Sequence, residues 1–420
     1  MEVLLSLVVY LFSIIFCFSV LRYKKQNQPL GTANLFASFL FAQSLYIIPP
    51  AIDQILGFEN YLFMVELITY TSVCSIFLVF GALFAFSTQK FNLSQEININ
   101  QLYPQTRQRI FYLIFFIGIS SCVYYLKLLY DLFSTDLILF LGAVGQGEYG
   151  DEAGSFRQLQ VWLLGIISGT GITITFFRKE NKNLYLFFGL IFLILCLSLL
   201  VRGNRNFLLF ILSPVLIYYL NMYRLLTVKN VLLLFIGFIG LAQLIDIIRA
   251  VGVYSISEIP IEVFQKGMSA GEFGATIRSF EFYMQEKFMP ELLLGKSYLI
   301  DPILNMATTL GYPFEVLSYK LAVTMSKDQL FGYGFSPQLE SLLNFGVFGP
   351  IVYIVFGYVL TSIDNIKNKS VYISILCFYL YAITINMQRI DFAVIIKLSA
   401  IPIFIVSITF FLSKMRLGKS

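Results

Sequence analysis

The chain has 420 residues and contains no histidine, and only 13% of its residues are charged. The absence of histidine excludes mechanisms that need an imidazole base, a histidine metal ligand or a serine–histidine pair. Proton transfer would then fall to a carboxylate, a tyrosine, a lysine or water. The scarcity of charge excludes a water-facing surface over most of the chain, because charged side chains normally cover such a surface.

Other missing patterns exclude further classes of protein. The net charge of +5 is too small to indicate nucleic-acid binding. No two acidic residues are separated by a single residue, so the acid-x-acid metal site of many nucleotide-sugar glycosyltransferases is absent, and we expect neither a metal nor another cofactor. The cysteines all lie inside apolar runs, which predicts buried thiols and no disulfide framework; they are Cys17, Cys74, Cys122, Cys196 and Cys377.

Hydrophobic residues make up 58% of the chain, and its mean hydropathy is +0.79. These values predict an all-α polytopic membrane protein. Runs long enough to cross about 30 Å of hydrocarbon predict transmembrane helices over 3–22, 33–50, 60–87, 108–130, 157–177, 183–201, 206–223, 230–248, 338–362, 370–387 and 392–413. This prediction of eleven spans, the first of them a retained span and not a cleaved signal, puts the two termini on opposite faces.

Lysine and arginine in short connections indicate orientation, because they resist translocation. They concentrate in alternate connections, at Arg22, Lys24, Lys25, Lys90, Arg107, Arg109, Arg178, Lys179, Lys182, Arg224, Lys229, Lys367, Lys369, Lys414, Arg416 and Lys419. That face is predicted to be cytoplasmic, with the C-terminus on it and the N-terminus outside.

The predicted spans divide one integral membrane domain into three parts. Residues 1–248 hold helices 1 to 8 with an outer loop near 131–156, residues 249–337 form a long extracytoplasmic loop, and residues 338–420 hold helices 9 to 11. The long loop is too interrupted by proline and charge to span, which predicts short helices lying on or dipping into the membrane. Gly346 and Gly349, beside Pro350, predict close helix packing in the ninth span.

Arginines on the outer face are informative because each was translocated against the usual bias. They are Arg202, Arg205, Arg249, Arg278 and Arg389. A guanidinium matches phosphate oxygens in pairs, so a lipid pyrophosphate at headgroup depth would explain the group. The alternative is that they extend to ordinary lipid phosphates or pair with nearby acids, as Arg389 would with Asp391.

Carboxylates are the candidate bases for an attacking hydroxyl, since histidine is absent. Glu272 lies between glycines that allow close backbone approach. Glu340 follows Ser336, which reads as a helix N-cap, and Pro337, which reads as the first helical residue. An acid in that first turn also complements the helix dipole, so a purely structural role for Glu340 stays open. Asp391 is predicted to orient Arg389.

Several segments of the second half resemble the repeat-unit polymerases of O-antigen and capsule synthesis, the Wzy type. The segment from Gly334 to Glu340, continuing from Asn344 to Gly349, resembles a signature of that family. The other matching patches are Arg202 to Arg205, Gly271 to Thr276, and Arg389 to Asp391 leading to Lys397.

The resemblance implies a membrane glycosyltransferase of the GT-C-like type in a bacterial inner (plasma) membrane, with its site on the extracytoplasmic face. It would transfer a growing glycan from undecaprenyl pyrophosphate to the non-reducing-end sugar of a new lipid-linked unit, without a metal or other cofactor. The implied partners are the lipid-linked donor and acceptor, the bilayer and a chain-length regulator protein. The arginines would hold the diphosphate, and Glu272 or Glu340 would take the acceptor proton.

Two other functions share parts of this pattern. A flippase for lipid-linked glycans would also need arginines for pyrophosphate, but it would line a path through the membrane with charge, whereas these arginines are predicted on one face. An O-antigen ligase shares the implied architecture but relies on a loop histidine, which this chain lacks. An envelope scaffold would leave the arginine pattern without a reason.

The pyrophosphate interpretation predicts that Arg202→Ala or Arg205→Ala abolishes glycan extension without preventing membrane insertion. Extension is measured as the ladder of lipid-linked glycans on a gel, and insertion as the amount of protein in the membrane fraction. Arg224→Ala, on the predicted cytoplasmic face, is the matched control. Full extension by both outer variants would instead indicate that these arginines only contact ordinary lipid.

Overall fold

The structure is a computed structural model that describes residues 1–24, 35–88, 102–133, 152–201, 205–222, 233, 236–237, 240, 272–286, 291–308, 312, 314–325, 334–366, 370–388 and 390–414. Within these ranges the chain is helical and no strand occurs. The all-α prediction is therefore confirmed for the described part of the chain. The five cysteines are all free and buried, as predicted.

The first half of the chain contributes long helices. They are α1 (Glu2–Lys24), α2 (Leu35–Leu56), α3 (Met64–Thr88), α4 (Pro104–Phe133), α5 (Glu152–Phe176), α6 (Lys182–Val201) and α7 (Arg205–Met222).

The second half mixes short helices with long ones. α8 (Glu272–Glu286) is followed by the short helices α9 (Lys296–Leu299), α10 (Asp301–Ala307) and α11 (Leu317–Met325), which fall within the predicted long loop. α12 (Pro337–Phe345) continues through a 3₁₀ helix (Gly346–Ile351) into α13 (Val352–Ile366). α14 (Val371–Asn386) and α15 (Phe392–Lys414) complete the described fold.

Seven helical segments in the described residues are long and apolar enough to cross a membrane, consistent with a polytopic membrane protein. They are Glu2–Val20, Leu35–Leu56, Met64–Thr88, Pro104–Leu128, Lys182–Leu199, Pro337–Ile366 and Phe392–Ser413. Shorter apolar helices lie at three other predicted spans, within Trp162–Phe176, Phe210–Tyr219 and Val371–Tyr381. The predicted span 230–248 lies almost entirely outside the described residues, so the total of eleven stays a prediction.

Large apolar side chains face outward from the bundle, as a membrane protein requires. On α6 the exposed ones are Leu186, Phe187, Leu190, Leu193, Ile194 and Leu197. A soluble protein would have to cover so continuous an apolar face, whereas hydrocarbon solvates it.

The predicted single span 338–362 is divided in the structure into α12, the 3₁₀ helix and α13. Gly346 begins the 3₁₀ helix at a φ of +56°, a conformation that favours glycine, and Pro350 lacks the N–H that a continuous α-helix would use. The prediction of close packing at Gly349 is confirmed, because a Cβ there would lie 2.1 Å from the Tyr70 hydroxyl and 2.7 Å from the Ser341 carbonyl oxygen.

The main hydrophobic core runs through the long helices, and a second cluster lies where α3 begins. In that second cluster, apolar residues of α8, α11 and α12 pack against α1, α2 and α3. Helix α12 joins the beginnings of two spans, because Ser341 hydrogen-bonds to Tyr70 of α3 at 3.0 Å and Glu340 accepts from the backbone of α15. We call this end of the bundle the site end.

Helices α3 and α13 approach each other through a pair of glycines. A Cβ on Gly357 would lie 1.9 Å from the Leu78 carbonyl oxygen, and a Cβ on Gly81 would lie 1.9 Å from the Ile354 carbonyl oxygen. The backbones therefore touch where any other residue would force them apart.

This contact predicts that Gly357→Ala lowers the free energy of unfolding by about 1 to 3 kcal/mol, because overpacking displaces the two helices. Thermal unfolding of the purified protein in detergent measures the effect. Gly189→Ala in α6 is the matched control, since a Cβ there meets nothing within 4 Å. Equal unfolding temperatures for both variants would contradict the close contact.

Candidate functional site

Helix α12 carries an apolar stripe and a polar stripe side by side. Phe335, Leu339 and Leu343 recur every four residues and are buried in the second core cluster. Glu340 and Asn344 follow one position later in the helical period and are buried as well. The apolar contacts therefore fix α12 against α3 and hold the two polar side chains inside the protein.

The beginning of α12 has the cap that the sequence predicts. The Ser336 hydroxyl accepts a hydrogen bond from the Leu339 N–H at 3.1 Å, and Pro337 is the first helical residue. Glu340 stands in the first turn, near the positive end of the helix dipole. The structural role that the sequence left open for Glu340 thus has a geometric basis.

The Glu340 carboxylate is 2% exposed, and both of its oxygens accept hydrogen bonds. The Ser297 hydroxyl donates to Oε1 at 2.6 Å, and the Phe392 backbone N–H donates to Oε2 at 2.9 Å. Asn344 completes the network, since its Nδ2 donates to Ser297 Oγ at 2.7 Å and its Oδ1 accepts from the Gly295 N–H at 3.0 Å. Glu340 therefore connects α9, α12 and α15.

Asp391 is also buried, and it caps α15. Its Oδ1 accepts from the Val394 N–H at 2.9 Å, while its Oδ2 accepts from the Ser318 N–H at 3.0 Å and the Ser318 hydroxyl at 2.7 Å. Burial raises the pKa of this carboxyl, and the hydrogen bonds from Ser318 and Val394 oppose the shift. Asp391 therefore attaches α11 to the beginning of α15.

The structure thus brings two predicted carboxylates, Glu340 and Asp391, to the first turn of one helix. The N-terminus of a helix carries unpaired N–H groups and about half a positive charge, which stabilise nearby anions. Phe392 and Val394 supply two of those N–H groups, one to each carboxylate. The N–H groups of α15 and the serine hydroxyls favour the ionised carboxylates, while burial opposes their ionisation.

The short helix α10 lies against α15 beside this pair. The Asn305 amide donates to the Ala393 carbonyl oxygen at 3.0 Å, and the Lys397 ammonium donates to the Thr308 hydroxyl at 2.7 Å. Asp301 begins α10 and is buried, and its Oδ1 has no hydrogen-bond partner among the described residues. Burial raises the pKa of Asp301. The Lys296 and Lys320 ammonium groups oppose this shift, and the negative charge of Asp391 adds to it.

Arg278 has an acidic partner in the structure. It lies on α8 with an exposed side chain, 3.5 Å from Glu59 in the turn between α2 and α3. One turn further along α8, Glu281 accepts a hydrogen bond from the Leu62 N–H of the same turn. For Arg278 the geometry favours pairing with a nearby acid over a free guanidinium awaiting phosphate.

The remaining predicted residues are placed only in part. Arg205 is the first residue of α7 and Glu272 is the first residue of α8; nothing further is described for their side chains. Arg202, Arg249 and Arg389 lie outside the described residues. The predicted arginine group therefore stays a prediction.

Sequence reasoning missed the polar residues that hold the carboxylates, namely Ser297, Ser318 and Asn344. In the sequence, Gly295-Lys296-Ser297 resembles only the end of a phosphate loop, and Pro290 stands where such a loop needs its upstream glycine. Nothing in one sequence signals that Ser297 and Ser318, both in the long loop, contact Glu340 and Asp391. Only the buried position of those acids requires donors nearby.

The described residues contain no group of three or more Cys, Asp or Glu side chains that could hold a metal ion. The carboxylate oxygens of Glu340 and Asp391 instead receive N–H and O–H donors. Chemically, the pair can accept a proton or hydrogen bonds from a hydroxyl that replaces one of these donors.

No protein-family model, no curated protein and no solved structure matches this chain. The family is undetermined. The likeness to repeat-unit polymerases depends on the quoted segments alone, and any assignment of function has to be argued from the chemistry of the site.

The burial of Asp301 predicts that Asp301→Asn stabilises the protein at neutral and higher pH. A carboxyl whose folded pKa is raised favours folding below its unfolded pKa of about 3.9, and this contribution is lost as the pH rises through the folded pKa. We therefore expect equal unfolding temperatures for wild type and variant near pH 4 and a higher one for the variant near pH 8. Glu291→Gln, an exposed site in the same segment, is the control, and a variant advantage independent of pH would contradict the explanation.

Proposed function

We propose that the protein is a metal-independent glycosyltransferase that polymerises lipid-linked oligosaccharide repeat units. In this proposal it is a GT-C-like membrane enzyme with eleven spans, an extracytoplasmic N-terminus and a cytoplasmic C-terminus. The growing glycan moves from undecaprenyl pyrophosphate to the non-reducing-end sugar of a new lipid-linked unit on the outer face of a bacterial plasma membrane.

The observation that carries the proposal is the convergence of Glu340 and Asp391 on the first turn of α15. These acids come from two separate segments that resemble the polymerase family, and the sequence gives no local reason for them to meet. Each is held by short hydrogen bonds from a hydroxyl and from a backbone N–H. Such fixed carboxylates suit general-base chemistry, which requires the base within hydrogen-bonding distance of the hydroxyl that it deprotonates.

In this proposal the acceptor hydroxyl lies where the Ser297 hydroxyl now stands. It stands 2.6 Å from Glu340 Oε1, the distance at which a proton passes between a hydroxyl and a carboxylate. In the reaction, the acceptor hydroxyl takes this position and its proton moves to Glu340. The acceptor oxygen then bonds to the anomeric carbon of the donor, and the bond from that carbon to the phosphate oxygen breaks.

The electron pair of the broken bond stays on undecaprenyl pyrophosphate, whose charge has to be stabilised as it leaves. We assign this task to Arg202, Arg205, Arg249 and Arg389, which the predicted topology places at the same face. Arg278 comes second in this assignment, because Glu59 already neutralises it. Guanidinium groups would here do what a metal ion does in other transferases.

The proposal predicts that purified protein converts a lipid-pyrophosphate-linked repeat unit into a ladder of longer lipid-linked glycans, without nucleotide sugar or added metal. The substrate is extracted from a strain of the source bacterium that lacks this protein and therefore accumulates single units. In the same assay Glu340→Gln and Glu272→Gln are compared. Only the variant of the true base loses turnover by 10²-fold or more while it still binds substrate.

A matched control for the base variants is Glu291→Gln, which changes an exposed acid in the long loop. Liposomes that contain the protein and the lipid-linked unit provide the second arm. If the ladder is absent and the intact unit crosses the bilayer, the protein is a flippase and the polymerase proposal is wrong.

A further inference from the structure

A small cavity lies between α2, α3, α8, α12 and the turn that joins α14 to α15. It is lined by Gln43, Tyr46, Ile47, Leu67, Thr276, Ser336, Gln338 and Gln388, and its volume is about 10 Å³. This is roughly the space of one water-sized group. Three glutamines, a serine and a threonine around so small a volume are unusual in an apolar bundle.

Two of the lining glutamines bury polar atoms that have no partner among the described residues. Gln43 is fully buried; its Nε2 donates to Ser75 Oγ at 3.1 Å, but its Oε1 accepts nothing. Gln388 is 1% exposed; its Oε1 lies 3.5 Å from Gln338 Nε2, but its own Nε2 donates to nothing. Unpaired amide atoms in such a place are costly unless a further group satisfies them.

The two unpaired atoms complement each other. Gln43 Oε1 is an acceptor and Gln388 Nε2 is a donor. A hydroxyl group donates one hydrogen bond and accepts others, so it offers both the donor that Gln43 Oε1 lacks and the acceptor that Gln388 Nε2 lacks. A carboxylate or phosphate cannot donate to Gln43, and an ammonium cannot accept from Gln388. The unpaired atoms therefore favour a neutral group that both donates and accepts, such as a hydroxyl.

The cavity is built on the same segments as the carboxylate pair. Gln338 precedes Glu340 on α12, and Gln388 precedes Asp391 in the turn before α15. Among the lining residues, Tyr46 is only half-buried. Thr276 of α8 lines the cavity as well. Gly334 packs against this threonine so closely that a Cβ on Gly334 would lie 2.3 Å from the threonine methyl carbon. The cavity and the carboxylate pair therefore share helix α12 and the turn before α15.

We propose that this cavity is a recognition subsite for one hydroxyl group of the glycan substrate, bound by Gln43 as acceptor and by Gln388 as donor. The identity of the ligand as a glycan rests on the proposed function, whereas the preference for a hydroxyl rests on the cavity alone. The same chemistry suits a buried water molecule, so the experiment has to separate a sugar hydroxyl from water.

The test is calorimetric binding of the free repeat-unit oligosaccharide, released by mild acid from the lipid extract described above. Wild type is compared with Gln43→Met and Gln388→Met, which keep the length of the side chain and remove the amide. We expect each variant to bind about tenfold more weakly, the effect of losing one hydrogen bond that the ligand would otherwise satisfy. Gln285→Met, at an exposed position of α8, is the matched control and should bind as wild type does.

Unfolding temperatures of the same variants supply the second readout. The ligand-free Gln388→Met variant should be as stable as wild type or more so, because it removes an unpaired Nε2 and only a 3.5 Å contact with Gln338. Gln43→Met should be slightly less stable, because it also removes the 3.1 Å hydrogen bond to Ser75. Binding is measured below the unfolding temperature of every variant. The two substitutions lie on separate elements, so if one variant fails to fold, the binding of the other still tests the proposal. Unchanged binding in both variants would show that the cavity holds only water, and no binding by wild type would also overturn the proposal.

This binding assay requires no polymerisation. If the glutamine variants bind more weakly but no ladder forms in the activity assay, the polymerase assignment fails and the subsite stands. If the ladder forms and both glutamine variants bind the oligosaccharide as tightly as wild type does, the subsite proposal is wrong and the polymerase assignment stands.

Discussion

The first turn of α15 has backbone N–H groups that need hydrogen-bond acceptors, and the carboxylates of the site supply them. The leading N–H groups of a helix have no partner within the helix, and Asp391, directly before this helix, is buried. Glu340 and Asp391 accept from two of these groups. Glu340 belongs to α12, so its hydrogen bond attaches α12 to α15, and Asp391 attaches α11 because it also accepts from Ser318. The short helices of the long loop are held at the site end by the same contacts.

The charge of those acids needs its own solvation, since two neighbouring buried carboxylates repel each other and lose hydration. Ser297 and Ser318 provide it with hydroxyl donors, and Asn344 in turn fixes Ser297. An arrangement that satisfies every carboxylate oxygen also fixes the direction in which each oxygen points. Preorganisation of this kind is what a general base requires, so stability and the proposed chemistry place the same demands on these residues.

The cavity lined by Gln43 and Gln388 differs from the carboxylate pair in its hydrogen bonding. There, Gln43 has an acceptor and Gln388 a donor without a partner among the described residues, although both side chains are buried. All four oxygens of Glu340 and Asp391 thus have donors, whereas each of these two amides has an atom without a partner among the described residues. Helix α8 contacts the cavity through Thr276 and the second core cluster through its apolar face. Arg278 and Glu281 attach the same helix to the turn between α2 and α3.

The sequence by itself determined the helical class, the positions of most long helices and the cap at Ser336 and Pro337, because apolar run length and capping preferences are local properties. It also indicated buried cysteines and the close approach at Gly349. It did not predict the division of α12 from α13 or the partners of Glu340, Asp391 and Arg278. Those depend on which distant segment supplies a donor, a carbonyl oxygen or a counter-charge, and spacing along one chain carries no such information. Asp391 caps the Val394 N–H three residues further on, but only the tertiary structure brings Glu340 to the Phe392 N–H, 52 residues away along the chain. The physical reason is that a buried anion needs hydrogen-bond donors in place of water.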